Sequence, residues 1–155
     1  MNNPTNNEIN DERGAAALDF CLRLARVQAS VVRRLDAVLG GHHGLSFGDF
    51  MLLHHLSKAP GGRLRRVDLA DRQGLTASGV TRTLLPMEKT GLVARMADER
   101  DARVGFAAIT PAGHNLLDNS MVTARETCAE LLRHAPQDQL DALAAVLGNV
   151  LGPGA

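Results

Sequence analysis

Between Arg66 and Thr90 two short helical runs stand on either side of Gly74-Leu75-Thr76, and this punctuation constrains the fold more than any other feature of the chain. The first run, Arg66 to Gln73, meets Gly74, which takes a left-handed conformation without steric cost and so ends a helix. Thr76 then offers a side-chain oxygen to the next helix, which reaches Thr90. There Gly91 and Leu92 supply a terminating glycine and the apolar residue after it, facing Met87. Two short helices separated by so brief a turn form a helix-turn-helix. In the second of them Val80, Leu84 and Met87 recur at helical spacing and make a buried edge, which turns Ala77, Ser78, Thr81, Arg82 and Leu85 outward. Small residues at a helix N-terminus allow close approach to a DNA major groove, where Ser and Thr bond phosphates or base edges and Arg reads guanine bidentately. By residue type Ser78 and Thr81 also suit plain solvated surface, so Arg82 is the strongest candidate contact. Pro86 removes the donor to the Arg82 carbonyl and predicts a kink late in this helix.

The flanks fit the same plan. Leu92 to Ala97 and Arg103 to Ile109 read as extended segments joined by the charged stretch Asp98 to Ala102, a hairpin or wing. Arg100 at its tip can enter a minor groove, while Asp98, Asp101 and Arg103 form a charge network that holds the tip. Upstream, Ser46 and Asp49 spell a capping box between the staple residues Leu45 and Phe50, opening a helix that runs to Lys58 and stops at Ala59-Pro60-Gly61-Gly62. Before it a long helix runs from about Glu12 to Leu39, closed by Gly40-Gly41. It carries two apolar stripes, one through Phe20, Leu24, Val27, Val31 and Leu35 and one through Leu18, Leu22, Ala25, Ala29 and Val32. A surface helix needs one such face. Two imply burial against the domain core and against a second copy of the chain, the competing reading being the central helix of a monomer. Downstream, Thr110-Pro111 caps and opens a helix bearing Leu117, Met121, Ala124, Cys128 and Leu131 on one face, interrupted near its end by Pro136. A last helix carries Leu140, Leu143, Leu147, Val150 and Leu151. Residues 1–10 are polar and Asn-rich and are expected to be a disordered tail.

Composition narrows the function. The 155 residues have a formal net charge of zero, a poor start for a nucleic-acid reader until the distribution is considered. Residues 61–103 carry nine basic side chains against six acidic ones, whereas from residue 104 onward two basic face five acidic. The basic middle is a modest footprint for phosphate. With no Trp, no Tyr and four Phe, the chain lacks the stacking platforms of single-strand binders. No long apolar run and no basic, apolar leader occurs, so the expected compartment is the cytoplasm, without a membrane partner. Cys21 and Cys128, in apolar helical surroundings, suit reduced thiols. No Gly-rich phosphate loop, H-E-x-x-H or G-x-S-x-G is present, and the paired histidines His42-His43 and His54-His55 lack helical ligand spacing. Neither an enzyme, a cofactor nor a metal is therefore expected.

Three stretches in order, LSFGDFMLLHHLSKAPGG, RRVDLADRQGLTASGVTRTLLPMEKTGLVAR and DERDARVGFAAITPAG, resemble the second helix, the helix-turn-helix and the wing of the MarR-type transcriptional regulators. The resemblance runs from about Leu45 to Gly113. It implies a mainly α (α+β) fold: a winged helix-turn-helix over 45–110, dimerisation helices over 11–44 and 111–155, and a single domain over 11–155. It implies a homodimer that binds double-stranded DNA as a repressor, with Arg66, Thr76, Ser78, Thr81, Arg82, Arg95, Arg100 and Arg103 as the DNA-facing set. It further implies a small, often phenolic or aromatic effector bound between the dimerisation helices and the winged part, where Phe20, Arg23, Phe50, Met51, His54 and His55 are candidates. Two alternatives stay open: redox sensing through Cys21, near where peroxide-sensing relatives keep a reactive cysteine, and a winged-helix module that docks proteins.

Overall fold

The computed structural model describes residues 4–97 and 105–151, with side chains from residue 11 onward. Helix α1 (Pro4–His43) is followed by α2 (Phe47–Lys58), a 3-10 turn (Pro60–Gly62), strand β1 (Arg63–Arg65), helices α3 (Arg66–Gln73) and α4 (Ala77–Lys89), strands β2 (Val93–Ala97) and β3 (Gly105–Ile109), and helices α5 (Pro111–Leu131) and α6 (Gln137–Leu151). The fold is mainly helical with one small antiparallel sheet, in the order β1-β3-β2.

α1 departs from the sequence reading at both ends. It begins at Pro4, so residues 4–10, expected as disordered tail, are helical. Proline lacks only an amide that the first turn leaves unbonded anyway, and no further proline or glycine precedes Gly14 to stop the helix. It also continues through Gly40-Gly41, since mid-helix glycine costs only about 1 kcal/mol and is outweighed when the same turns bury Leu35 and Leu39. The helix ends instead at Gly44, whose φ of +63° lets its amide turn back onto the Gly40 carbonyl at 3.1 Å. Asp36 then accepts the Phe47 amide at 2.7 Å and seats the start of α2 on α1.

The caps of the middle third form as expected. The Ser46 hydroxyl accepts the Asp49 amide, Gly74 closes α3, and Thr76 and Thr110 cap α4 and α5. α5 stops at Leu131, five residues before Pro136, and Pro136 instead offers its carbonyl to Gln139 and Leu140 at the start of α6. β1 is an addition to the reading. Arg63, Leu64 and Arg65 pair with Ala108, Ala107 and Phe106 and give the wing a third strand.

The core gathers Leu35 and Leu39 of α1, Phe50, Leu52, Leu53 and Leu56 of α2, Leu69 of α3, Val80, Leu84 and Met87 of α4, Val93 and Ala107 of the sheet, and Leu117 and Ala124 of α5. Of the two α1 stripes only the C-terminal portion is covered. Leu18, Leu22 and Val27 stay exposed, and α6 has no buried residue at all. Among the described residues no helix is long and apolar enough to cross a membrane.

Candidate nucleic-acid interface

α4 stands clear of the core along one side. Val80, Leu84 and Met87 are buried, whereas Ala77, Ser78, Arg82 and Leu85 are exposed and Thr81 is half-buried. Its first turn contains no acid, so the positive end of the helix dipole, with its unbonded amides, faces outward without a competing carboxylate. The hydroxyls differ in what they still have to give. Thr76 accepts the Gly79 amide at 3.1 Å and keeps its own hydrogen for an outside acceptor. Thr81 donates to the Ala77 carbonyl at 3.0 Å, so toward an external group it is an acceptor until it turns. Among the described residues neither constraint falls on Ser78 or Arg82.

α4 runs through Pro86 to Lys89, so the proline expected to kink this helix does not end it. The Pro86 carbonyl is bonded by both the amide and the hydroxyl of Thr90, at 3.0 and 3.1 Å, which secures the last turn. Beyond it the Gly91 amide bonds the Glu88 carbonyl at 3.1 Å and the Leu92 amide bonds the Met87 carbonyl at 2.9 Å, the paired bonds of a glycine-closed helix end. The chain thus leaves α4 directly into β2 at a fixed angle. The Thr110 hydroxyl reinforces that corner. It accepts the Gly113 amide while lying 2.6 Å from the Gly91 carbonyl and 3.1 Å from that of Leu92, so one group ties the start of α5 to the start of the wing.

Among the arginines expected to face DNA, Arg82 on α4 and Arg95 on β2 are exposed, while Arg100 and Arg103 lie outside the described residues. Arg95 sits opposite Ala107, on the same sheet face as the buried Val93. Arg66 stands differently: its Nη2 lies 3.3 Å from Glu88 of α4, and its buried Nε has no partner among the described residues. The sequence reading passed over Arg63 and Arg65, which alternate with the buried Leu64 and so project from the other sheet face. The Arg63 guanidinium lies 5.2 Å from the centre of the Phe106 ring. The Arg-Leu-Arg alternation was the available signal, though three residues are few to identify a strand.

The candidate effector residues fall into two groups. Phe50 is buried, and His54 stacks on it with ring centres 6.3 Å apart; Met51 and His55 are half-buried beside them on α2. Burial pushes the pKa of both histidines below the ordinary imidazole value, with Lys58 adding to the effect at His54 and His54 and Arg72 adding at His55. Among the described residues His54 Nδ1 and His55 Nε2, both buried, have no hydrogen-bond partner. Phe20 and Arg23, by contrast, stand on the exposed part of α1, where Arg23 pairs with Asp19 at 2.7 Å. An open groove there is lined by Asp19, Leu22, Arg23, Ala25, Arg26 and Ala29, all from one helix, so a single chain supplies one wall. Cys21, despite its apolar helical neighbours, is exposed in the single chain, because the stripe around it has nothing to pack on. Cys128 is half-buried, and burial raises its thiol pKa.

Comparison with known proteins places this geometry. The MarR family model matches residues 43–104, which span α2, the helix-turn-helix and the first part of the wing. Among solved structures, the transcriptional regulator BldR from Sulfolobus solfataricus is 27% identical, with 85% of this chain and 94% of that one aligned at a TM-score of 0.76. A MarR family transcriptional regulator from Streptomyces coelicolor, solved in complex with DNA, is 23% identical over 84% of both chains at a TM-score of 0.75. CouR from Rhodococcus jostii, solved bound to p-coumaroyl-CoA, is 19% identical over 88% of this chain and 94% of its own, at a TM-score of 0.77.

Proposed function

We propose that the chain is a MarR-type winged helix-turn-helix transcriptional regulator, binding DNA rather than catalysing a reaction, and that it acts as a homodimeric repressor of a pseudo-palindromic operator. The observation that carries this reading is the outer side of α4, where a capped, acid-free N-terminus and the exposed Ser78 and Arg82 stand opposite a fully buried edge. In this reading α4 enters the major groove. Thr76, Ser78 and Thr81 contact phosphates or base edges, Arg82 reads a base or holds a phosphate, and Arg95 with Arg100 and Arg103 brings the wing to the adjacent backbone and minor groove. Two copies related by a two-fold axis then meet half-sites about one helical turn apart.

Binding should depend steeply on salt, because each neutralised phosphate releases counterions. Replacing Arg82 by Ala is expected to weaken operator binding and, if the contact is to phosphate, to lower the slope of log affinity against log salt by about one. Arg100→Ala should weaken binding as well, with the dimer intact in sedimentation. Salt-matched titrations in which both variants bind like the parent protein would remove these assignments.

A small aromatic or phenolic effector completes the proposal. Support comes from the partnerless ring nitrogens of His54 and His55 beside Phe50, from the groove on α1 that needs a second wall, and from the aromatic thioester held by CouR. Titrating the protein with phenolic acids and aromatic acyl thioesters should raise its melting temperature and release DNA. No change in either quantity counts against this ligand class.

A further inference from the structure

Arg66 and Glu88 each sit at the wrong end of a helix. Arg66 is the first residue of α3, where a cation opposes the helix dipole, and Glu88 lies in the last turn of α4, where an anion opposes it. Their side chains meet at 3.3 Å, each 22% exposed, across 22 residues of sequence. The arginine stem also lies close to β3. A Cβ built on Gly105, the first residue of β3, would lie 3.3 Å from Arg66 Cδ, so the stem runs along the strand where a larger residue would crowd it. Gly105 pairs with Ala97, the last residue of β2, and register puts both on the sheet face that carries Val93 and Ala107. One ion pair therefore touches the start of α3, the end of α4 and the far end of the paired wing strands. Among the described residues Glu88 is the carboxylate that Arg66 meets, and the buried Arg66 Nε has no partner, which fits a side chain held by packing, not one reaching for solvent.

We infer that Arg66 and Glu88 form a strut that sets the angle between the wing and α4, making Arg66 a positioning residue for DNA binding and not a phosphate contact. The inference rests on the DNA-binding reading only for its consequence, because the strut itself belongs to the free protein. A phosphate contact and a strut also predict opposite signs at Glu88. If Arg66 served phosphate, removing the nearby negative charge would tighten DNA binding; if the pair is a strut, the same change loosens the wing and weakens binding.

The test compares Glu88→Gln, Arg66→Gln and the exchanged pair R66E/E88R with the parent protein. Amide hydrogen exchange of the free proteins is read first. Either single variant should exchange faster by about tenfold in 93–97 and 105–109, with α1 and α5 unchanged, and the exchanged pair should restore protection, as pairwise coupling between contacting residues requires. Unchanged exchange in those strands, or acceleration spread evenly over α1 and α5, overturns the strut whatever DNA does. Titration with duplex DNA selected by the parent protein follows, and Glu88→Gln should bind more weakly by at least about threefold. Tighter binding by Glu88→Gln overturns the positioning role. A parent protein that selects no duplex removes the DNA-binding reading instead, and the exchange data still decide the strut.

Discussion

Gly113 has no side chain because the chain leaves it no room. A Cβ there would overlap the Leu92 carbonyl oxygen and press on Ile109, where α5 crosses the corner between α4 and the wing. Gly113→Ala should therefore destabilise the fold by about 1 to 3 kcal/mol, the usual cost of overpacking. It should also weaken DNA binding, because the strained corner sets the angle of β2. Calorimetry checks the first effect, and an unchanged melting temperature contradicts it. Thr110→Val tests the same corner from its polar side. It deletes a hydroxyl that serves the Gly91 and Leu92 carbonyls and the Gly113 amide, and should cost about 1 kcal/mol as a lost helix cap. Were Thr110 an ordinary surface cap, the variant would lose stability without any change in wing protection from hydrogen exchange.

At the scale of elements, α2 carries a pH dependence. His54 and His55 have folded-state pKa values below the ordinary 6.5, chiefly through burial, with Lys58 adding at His54 and His54 and Arg72 adding at His55. The sign follows directly. As pH falls below about 6.5 the unfolded chain takes up protons first, so stability declines until the folded histidines protonate as well. Urea midpoints should drop through that window, and the drop should shrink in His54→Gln and His55→Gln; equal slopes in parent and variants contradict the assignment. These elements also show what a sequence discloses. Ser46, Gly74, Thr76, Gly91 and Thr110 announced their helix ends because a cap is chemistry among residues a few positions apart. The strand at Arg63–Arg65 left only a three-residue alternation and the Arg66 to Glu88 pair left no local sign, since each depends on a partner 22 or more residues away. The continuation of α1 through Gly40-Gly41 was misread for the complementary reason. Glycine is locally poor in a helix, and the burial of Leu35 and Leu39 that overrides it is a tertiary fact. In the candidate interface, periodicity was enough to separate Arg82 from Val80 and Leu84. It could not reveal that the Thr81 hydroxyl is already occupied or that Arg66 has an internal partner.

At the scale of the whole molecule, the single chain leaves more surface uncovered than a compact monomer of its mass would. A compact monomer of 16.5 kDa exposes about 7,600 Å² by the scaling of surface with mass. This chain exposes 11032 Å², with Leu18, Leu22 and Val27 of α1 and Val146, Val150 and Leu151 of α6 among its bare residues. The proposed two-fold dimer, with α1 and α6 of each copy covering the other, would account for that surplus, close the groove on α1 and bring two copies of α4 to one side of the particle. Leu22→Asp combined with Val150→Asp should give monomers in sedimentation and a large loss of DNA affinity, with the caps and core of α2 to α5 intact by circular dichroism. A double variant that stays dimeric would place the interface elsewhere. The central claim, that paired α4 helices read duplex DNA, is tested most directly by sequencing fragments enriched from a random duplex pool by the purified protein. The account predicts an inverted repeat with half-site centres about 10 base pairs apart, or a multiple of that turn, lost when Arg82 is replaced by Ala. Enrichment of no sequence, or of a motif without two-fold symmetry that survives in the Arg82 variant, would contradict it.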